Sequence, residues 1–144
     1  MTVSPAPGMP APQGRYVVAK RRGDLVFTAG MTPRRAGALI LEGPVRSGEP
    51  LERYRPALIL ACSNALDAAR SLALPGESVR EIMSMTVFIA SDHEFRAHSQ
   101  LADYASEYLY EQLGDNGVCV RAAVGVTTLP SGAPVEIQLV GTIY

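Results

Sequence analysis

An α+β fold, with a mixed β-sheet and two helices packed on one of its faces, is what this chain predicts, and three observations carry it. Hydrophobic residues recur with period two in short segments near both ends and in the middle, and at three and four in two long segments between them. The order of these segments is strands, helix, strand, helix, then two strands, which a sheet layer and a helix layer accommodate. A chain of 144 residues with 47% hydrophobic and 19% charged content is one ordinary globular domain, large enough for a real core.

Residues 1–13 carry Pro5, Pro7, Pro10 and Pro12 among small residues, which predicts a flexible Pro-rich arm ahead of a single domain over residues 14–144. Residues 15–20 and 25–28 read as short strands around the turn Arg22-Gly23-Asp24, with another short strand at 38–41. From Pro50 the period changes. Leu51, Tyr54, Leu58, Cys62, Ala65, Ala69 and Leu72 mark an amphipathic helix that stops before Pro75-Gly76, and Pro56 is early enough to be tolerated near its first turn. Residues 81–89 are a nearly continuous apolar strand, expected inside the sheet, with Met83 and Met85 as core residues. Ser91-Asp92-His93-Glu94 has the form of a capping box that opens a second helix along Phe95, Leu101, Ala105, Tyr108, Leu109 and Leu113, closed by Gly114.

The last third holds the most specific signal. In residues 118–126 the even positions Val118, Val120, Ala122, Val124 and Val126 are apolar, so the alternation predicts a strand with Arg121 facing away from the core. Residues 135–143 repeat the pattern, and Glu136 is likewise expected to face outward. The turn formers of Leu129-Pro130-Ser131-Gly132-Ala133-Pro134 suggest an antiparallel hairpin, with Glu136 across from Gly125 or Ala123 and Arg121 one step further along. Small residues between a cation and a carboxylate leave room for a ligand. An arginine fork matches a carboxylate in two parallel hydrogen bonds, and an ionised glutamate can take a proton from water. From spacing alone the plainer reading, a cross-strand ion pair on a surface or at a subunit interface, has the advantage.

These residues shift the balance because their pattern resembles the C-terminal signature of the Rid family, the YjgF/RidA-type reactive-intermediate deaminases also called endoribonuclease L-PSP. That pattern is Arg121, Leu129-Pro130 eight positions further on, then Val135-Glu136-Ile137. Gly14-Arg15-Tyr16, Ala29-Gly30-Met31-Thr32-Pro33, Asn64 in a long helix and Met85-Thr86-Val87-Phe88-Ile89 match in the same order, so the resemblance covers residues 13–144. It implies a YjgF-like (chorismate mutase-like) fold that assembles as a homotrimer with a central barrel and sites between subunits. It also implies hydrolysis of reactive enamines and imines to 2-oxo products and ammonia, without a metal or organic cofactor. By residue-wise match Arg121 would hold the substrate carboxylate, Glu136 would position the attacking water and Tyr16 would help orient it. The backbone around Gly30 and the Ala123 N–H would line the site. Many deaminating members carry Cys and Glu where this chain has Ala123 and Gly125, and Pro where it has Cys119, which implies a larger, less charged pocket and a bulkier substrate or a lost activity.

Composition excludes several other classes. The net charge of −1 and pI near 6.1 favour neither nucleic acid nor a membrane surface, although residues 1–46 hold seven Lys/Arg against two Asp/Glu. No apolar run approaches the ~20 residues a spanning helix needs. Cys62 and Cys119 have neither disulfide-framework nor zinc spacing, so reduced thiols and a cytoplasmic protein are expected. His93 and His98, five apart, lack metalloprotease spacing and read as surface positions of the second helix. Three functions stay open: imine or enamine hydrolysis, a non-catalytic trimer binding small carboxylates or acting as a regulator, and a ribonuclease. The last is weakest, for want of Trp and of a basic aromatic surface.

Overall fold

The structure, a computed structural model, describes residues 10–144, so most of the expected 1–13 arm lies outside the described residues. The first hairpin joins β1 (Ala19–Arg22) to β2 (Leu25–Thr28) through Gly23, whose φ of 60° suits a residue without a side chain. A separate two-residue ladder, β3 (Arg34–Arg35) with β4 (Ala38–Leu39), follows. The first helix, α1 (Arg55–Arg70), is entered by a 3₁₀ turn at Leu51–Tyr54 and keeps Pro56 in its first turn, where a missing N–H costs no helical bond. Its buried face is small and apolar except for Asn64, whose amide donates to the Thr32 and Arg34 carbonyls at 3.0 Å each. That buried amide is thereby satisfied, and it ties the Met31–Arg35 segment to the helix.

The remaining elements are β5 (Val79–Ala90), α2 (His98–Leu113), β6 (Val120–Val126) and β7 (Val135–Ile143), with Gly114 at φ 62° ending α2. One five-stranded sheet runs β1-β2-β7-β5-β6 and both helices cover the same face. The core lies between them: Met85, Val87 and Ile89 of β5 and Ile137 and Leu139 of β7 are buried against Leu58, Leu66, Leu101 and Leu109. No helix among the described residues is long and apolar enough to cross a membrane.

Three expectations are corrected. The strands β6 and β7 do not form a hairpin: β5 lies between them, parallel to β6 through the α2 crossover and antiparallel to β7. The loop after β6 instead crosses the end of β5, where the Ala90 N–H donates to Pro134 and the Gly43 N–H to Gly132. Second, α2 begins at His98 rather than in Ser91–Glu94, because Asp92 accepts hydrogen bonds from the Ser47 N–H, the Ser47 hydroxyl and the Glu94 N–H and so anchors a turn between loops. Third, Met83 is 45% exposed while Met85 is buried. A register shift between Ile82 and Ser84 changes which face each residue meets, as a bulge does.

Candidate functional site

Strand register decides which face each candidate side chain occupies. Met85 pairs with both Arg121 and Leu139, so Arg121, and with it Ala123 and Gly125, stands on the helix side. Phe88 pairs with both Val124 and Glu136, which puts Glu136 on the open face. The expectation that Arg121 and Glu136 share one face is therefore corrected. The alternation in β6 is real but its sense is inverted: Val120 is 72% and Val124 40% exposed on the open face. At the sheet edge the helix side is polar and the open side apolar, so apolar positions there do not mark the core.

Arg121 is held by a polar stripe on α2. Its Nη1 donates to Asp103 Oδ1 at 2.8 Å and to the Ser106 hydroxyl at 2.9 Å, and its Nη2 to the Ser99 hydroxyl at 2.8 Å and the Ser99 carbonyl at 3.2 Å. Ser99, Asp103 and Ser106 follow one another at helical spacings of four and three, so they project from one face of α2 toward the β6 edge. The guanidinium is pre-oriented, with most of its fork occupied. Beside it lies a shallow cleft of about 560 Å³ lined by Arg96, His98, Ser99, Arg121, Ala123 and Gly125. The small side chains of Ala123 and Gly125 leave its floor open. A second cleft of about 400 Å³ adjoins it, sharing Arg96, His98 and Gly125.

Sequence reasoning missed His98 and Arg96. His93 falls in the turn ahead of α2, but His98 is the first residue of the helix and reaches over β6. A Cβ added to Gly125 would stand 2.7 Å from His98 Nε2, so the imidazole uses the room that a glycine leaves. The signal present in the sequence was that glycine, which a strand tolerates poorly without a close neighbour to accommodate.

The other half of the expected site gathers around Glu136. A Cβ on Gly30 would lie 2.6 Å from Glu136 Oε2, so the predicted neighbours Gly30 and Glu136 do meet. Burial pushes the Glu136 carboxyl above the ordinary glutamate range. Tyr16 lies ahead of β1, 48% exposed, with its ring beside Gly14 and its hydroxyl accepting the Gln13 N–H at 3.0 Å. It sits two residues before Val18, whose carbonyl accepts the Ala29 N–H next to Gly30. The expected site residues thus fall into two groups: Arg121 with Ala123 at the β6 edge, and Glu136 with Gly30 on the open face. Among the described residues no cluster of His, Cys, Asp and Glu could hold a metal ion.

The family model for endoribonuclease L-PSP matches residues 7–143. The chain belongs to the endoribonuclease L-PSP family. Solved structures of L-PSP and YjgF type share its architecture, and the YjgF-like fold inferred from the sequence is the one observed. The Agrobacterium tumefaciens protein Atu1372 is 29% identical, with 94% of this chain and 86% of that one covered at a TM-score of 0.83. The Escherichia coli YjgF gene product is 19% identical at a TM-score of 0.73, covering 99% of this chain and 98% of its own. Escherichia coli TdcF, solved with bound serine, is 22% identical at 0.70, covering 93% and 92%. At identities this low the last two establish the L-PSP fold alone.

Proposed function

We propose that this L-PSP family protein hydrolyses small imines and enamines to 2-oxo products and ammonia, at sites completed between copies of the chain. The observation that carries the reading is the division of the expected site residues into two groups. An arginine cleft lies on the helix side of an edge strand, while a half-buried carboxylate of raised pKa lies on the opposite face of the same sheet. One copy cannot bring them together, but the edge of one copy can meet the open face of another. The exposed apolar residues Phe27, Val120 and Val124 on that face favour such contact, and the family resemblance implies a homotrimer.

Arg121 anchors the substrate carboxylate, exchanging part of its bonding to Ser99 and Asp103 for the ligand. Glu136 accepts a proton from water as the oxygen attacks the imine carbon and the C=N electron pair moves to nitrogen. Returned to nitrogen, that proton gives the neutral carbinolamine; Glu136 then takes the hydroxyl proton and passes it to the same nitrogen, so that the C–N bond breaks, ammonia leaves and the carbonyl forms. Tyr16 orients the water or substrate, and the Gly30 backbone lines the Glu136 side. Imines already hydrolyse in water, so positioning supplies much of the acceleration.

The test measures ammonia and 2-oxo acid released from imines generated by an amino-acid oxidase, with semicarbazide as the trap. Removing the acid–base carboxylate in Glu136→Gln should lower kcat about 100-fold. Losing a charge-assisted anchor in Arg121→Ala should raise KM about tenfold or more. Co-assembly of the two impaired variants should restore part of the activity, because mixed assemblies contain intact sites. Failure of the wild type to exceed the spontaneous rate sinks the reading.

A second reading, a carboxylate-binding protein without turnover, is favoured by one observation: the Arg121 fork is already bound to α2. Bound serine in the related TdcF is compatible with either reading. Ligand binding that depends on Arg121, with no hydrolysis of any imine, would select the second.

A further inference from the structure

We infer that the cleft at the β6 edge selects substrates with a second carboxylate, and that Arg96 and His98 are the residues that read it. The inference rests on the reading above that Arg121 takes the first carboxylate. Residues 47–144 are acidic as a whole, holding twelve Asp/Glu against six Lys/Arg, yet no acid lines this cleft. Its charged lining is Arg96 and Arg121, with the His98 imidazole and the Ser99 hydroxyl as further polar groups. Two acids beside it are engaged: Asp103 with Arg121, and Asp92, in the adjoining cleft, with Ser47.

Arg96 is exposed and among the described residues donates only through Nη1, to the His93 and Phe95 carbonyls, which leaves Nη2 and Nε as donors without a partner there. His98 is held in place by an edge contact with Phe95, ring centroids 5.0 Å apart, and by the absence of a side chain at Gly125. An imidazole can donate one N–H whichever tautomer it adopts. A ligand whose first carboxylate meets Arg121 would run over Ala123 and Gly125 and present its far end to Arg96 and His98. A monoacid leaves that end of the cleft to water. An apolar side chain there would face a guanidinium without an anion.

Calorimetric titration of the full-length protein, in its solution assembly, with glutarate and with pentanoate compares a diacid and a monoacid of the same chain length. Glutarate should bind about fivefold more tightly, the order expected for one added charge contact open to solvent. The ratio should fall to about one in Arg96→Ala, and fall in part in His98→Ala. Arg96→Lys, which keeps the charge but not the fork, should retain some preference. Equal affinity in the wild type, no glutarate binding, or a preference unchanged in Arg96→Ala overturns the inference. The outcome separates from that of the hydrolase reading. Imine hydrolysis with equal affinities would uphold the reaction and remove the diacid preference. An Arg96-dependent preference without turnover would do the reverse.

Discussion

Glu136 and Gly30 show how one missing side chain makes room for a half-buried carboxylate. The glycine lets the carboxylate lie against backbone, and that burial raises its pKa. An added methyl would meet the Cγ, Cδ and Oε2 atoms of Glu136 within 2.9 Å, so the side chain must swing away. We therefore expect Gly30→Ala to cost only about 1 kcal/mol of stability, since the obstruction is a flexible side chain, but to lower kcat at least tenfold. Thermal melts and imine hydrolysis measured on one preparation check both halves. Gly125 plays the corresponding part for His98. Of the residues expected to form the site, Ala123 and Arg121 line one cleft and Gly30 and Glu136 form one contact. The Arg121–Ala123 placement was legible because the two alternate on one strand, whereas Gly30 was expected at the site only through the family resemblance, and its contact with Glu136 comes from the bridge between Met31 and Ile137.

At the scale of elements, the hairpin β1–β2 is clamped to the rest of the sheet by Arg21. Its guanidinium grips the Glu77 carboxylate with both nitrogens, one at 2.9 Å, and also reaches the Leu72 and Ile143 carbonyls. Hydrogen bonding to Arg21, then to the Leu74 N–H, holds the Glu77 carboxyl down at about 2. Because this folded-state pKa lies below the unfolded value of about 4.3, the contribution is present above that pH and lost as pH falls toward 2. Urea midpoints of wild type and Arg21→Ala should differ most near pH 7 and converge progressively between about pH 4.3 and 2. A difference independent of pH would mean that Arg21 acts only through its carbonyl contacts. The second helix shows a limit of periodicity. Its apolar stripe predicted Leu101, Ala105 and Leu109 as buried, as they are. The Ser99, Asp103 and Ser106 stripe that receives Arg121 carried no comparable signal, because polar residues on a helix are by default a solvated face.

For the whole molecule, one sheet face carries exposed apolar residues and, among the described residues, no helix. Val120 and Phe27 lie there beside Gln138 and Thr86, and among the described residues β6 is an edge strand of the sheet. We expect light scattering to give about three times the 15.3 kDa chain mass, and Val120→Asp to shift the protein toward monomer with loss of hydrolysis. A wild-type protein that is already monomeric would remove the shared-site arrangement proposed above. A charge at this position costs little in an isolated chain, since Val120 is 72% exposed, so dissociation rather than unfolding is the expected consequence.

By itself the sequence determined the α+β class, both helices, every strand of the main sheet to within a few residues, and the family. Each of these follows from local periodicity, turn chemistry or a motif read along the chain, and none requires knowing which strand lies beside which. Only the tertiary structure decided that β7 enters the sheet on the far side of β5. It also decided that Arg121 faces α2 while Glu136 faces outward, and that His98 sits over Gly125. The physical reason is that alternation specifies two faces without naming them, and a strand's neighbours are chosen by packing of the assembled core. At an edge strand, where one face meets a polar helix stripe and the other an apolar surface, the usual rule for naming the faces reverses.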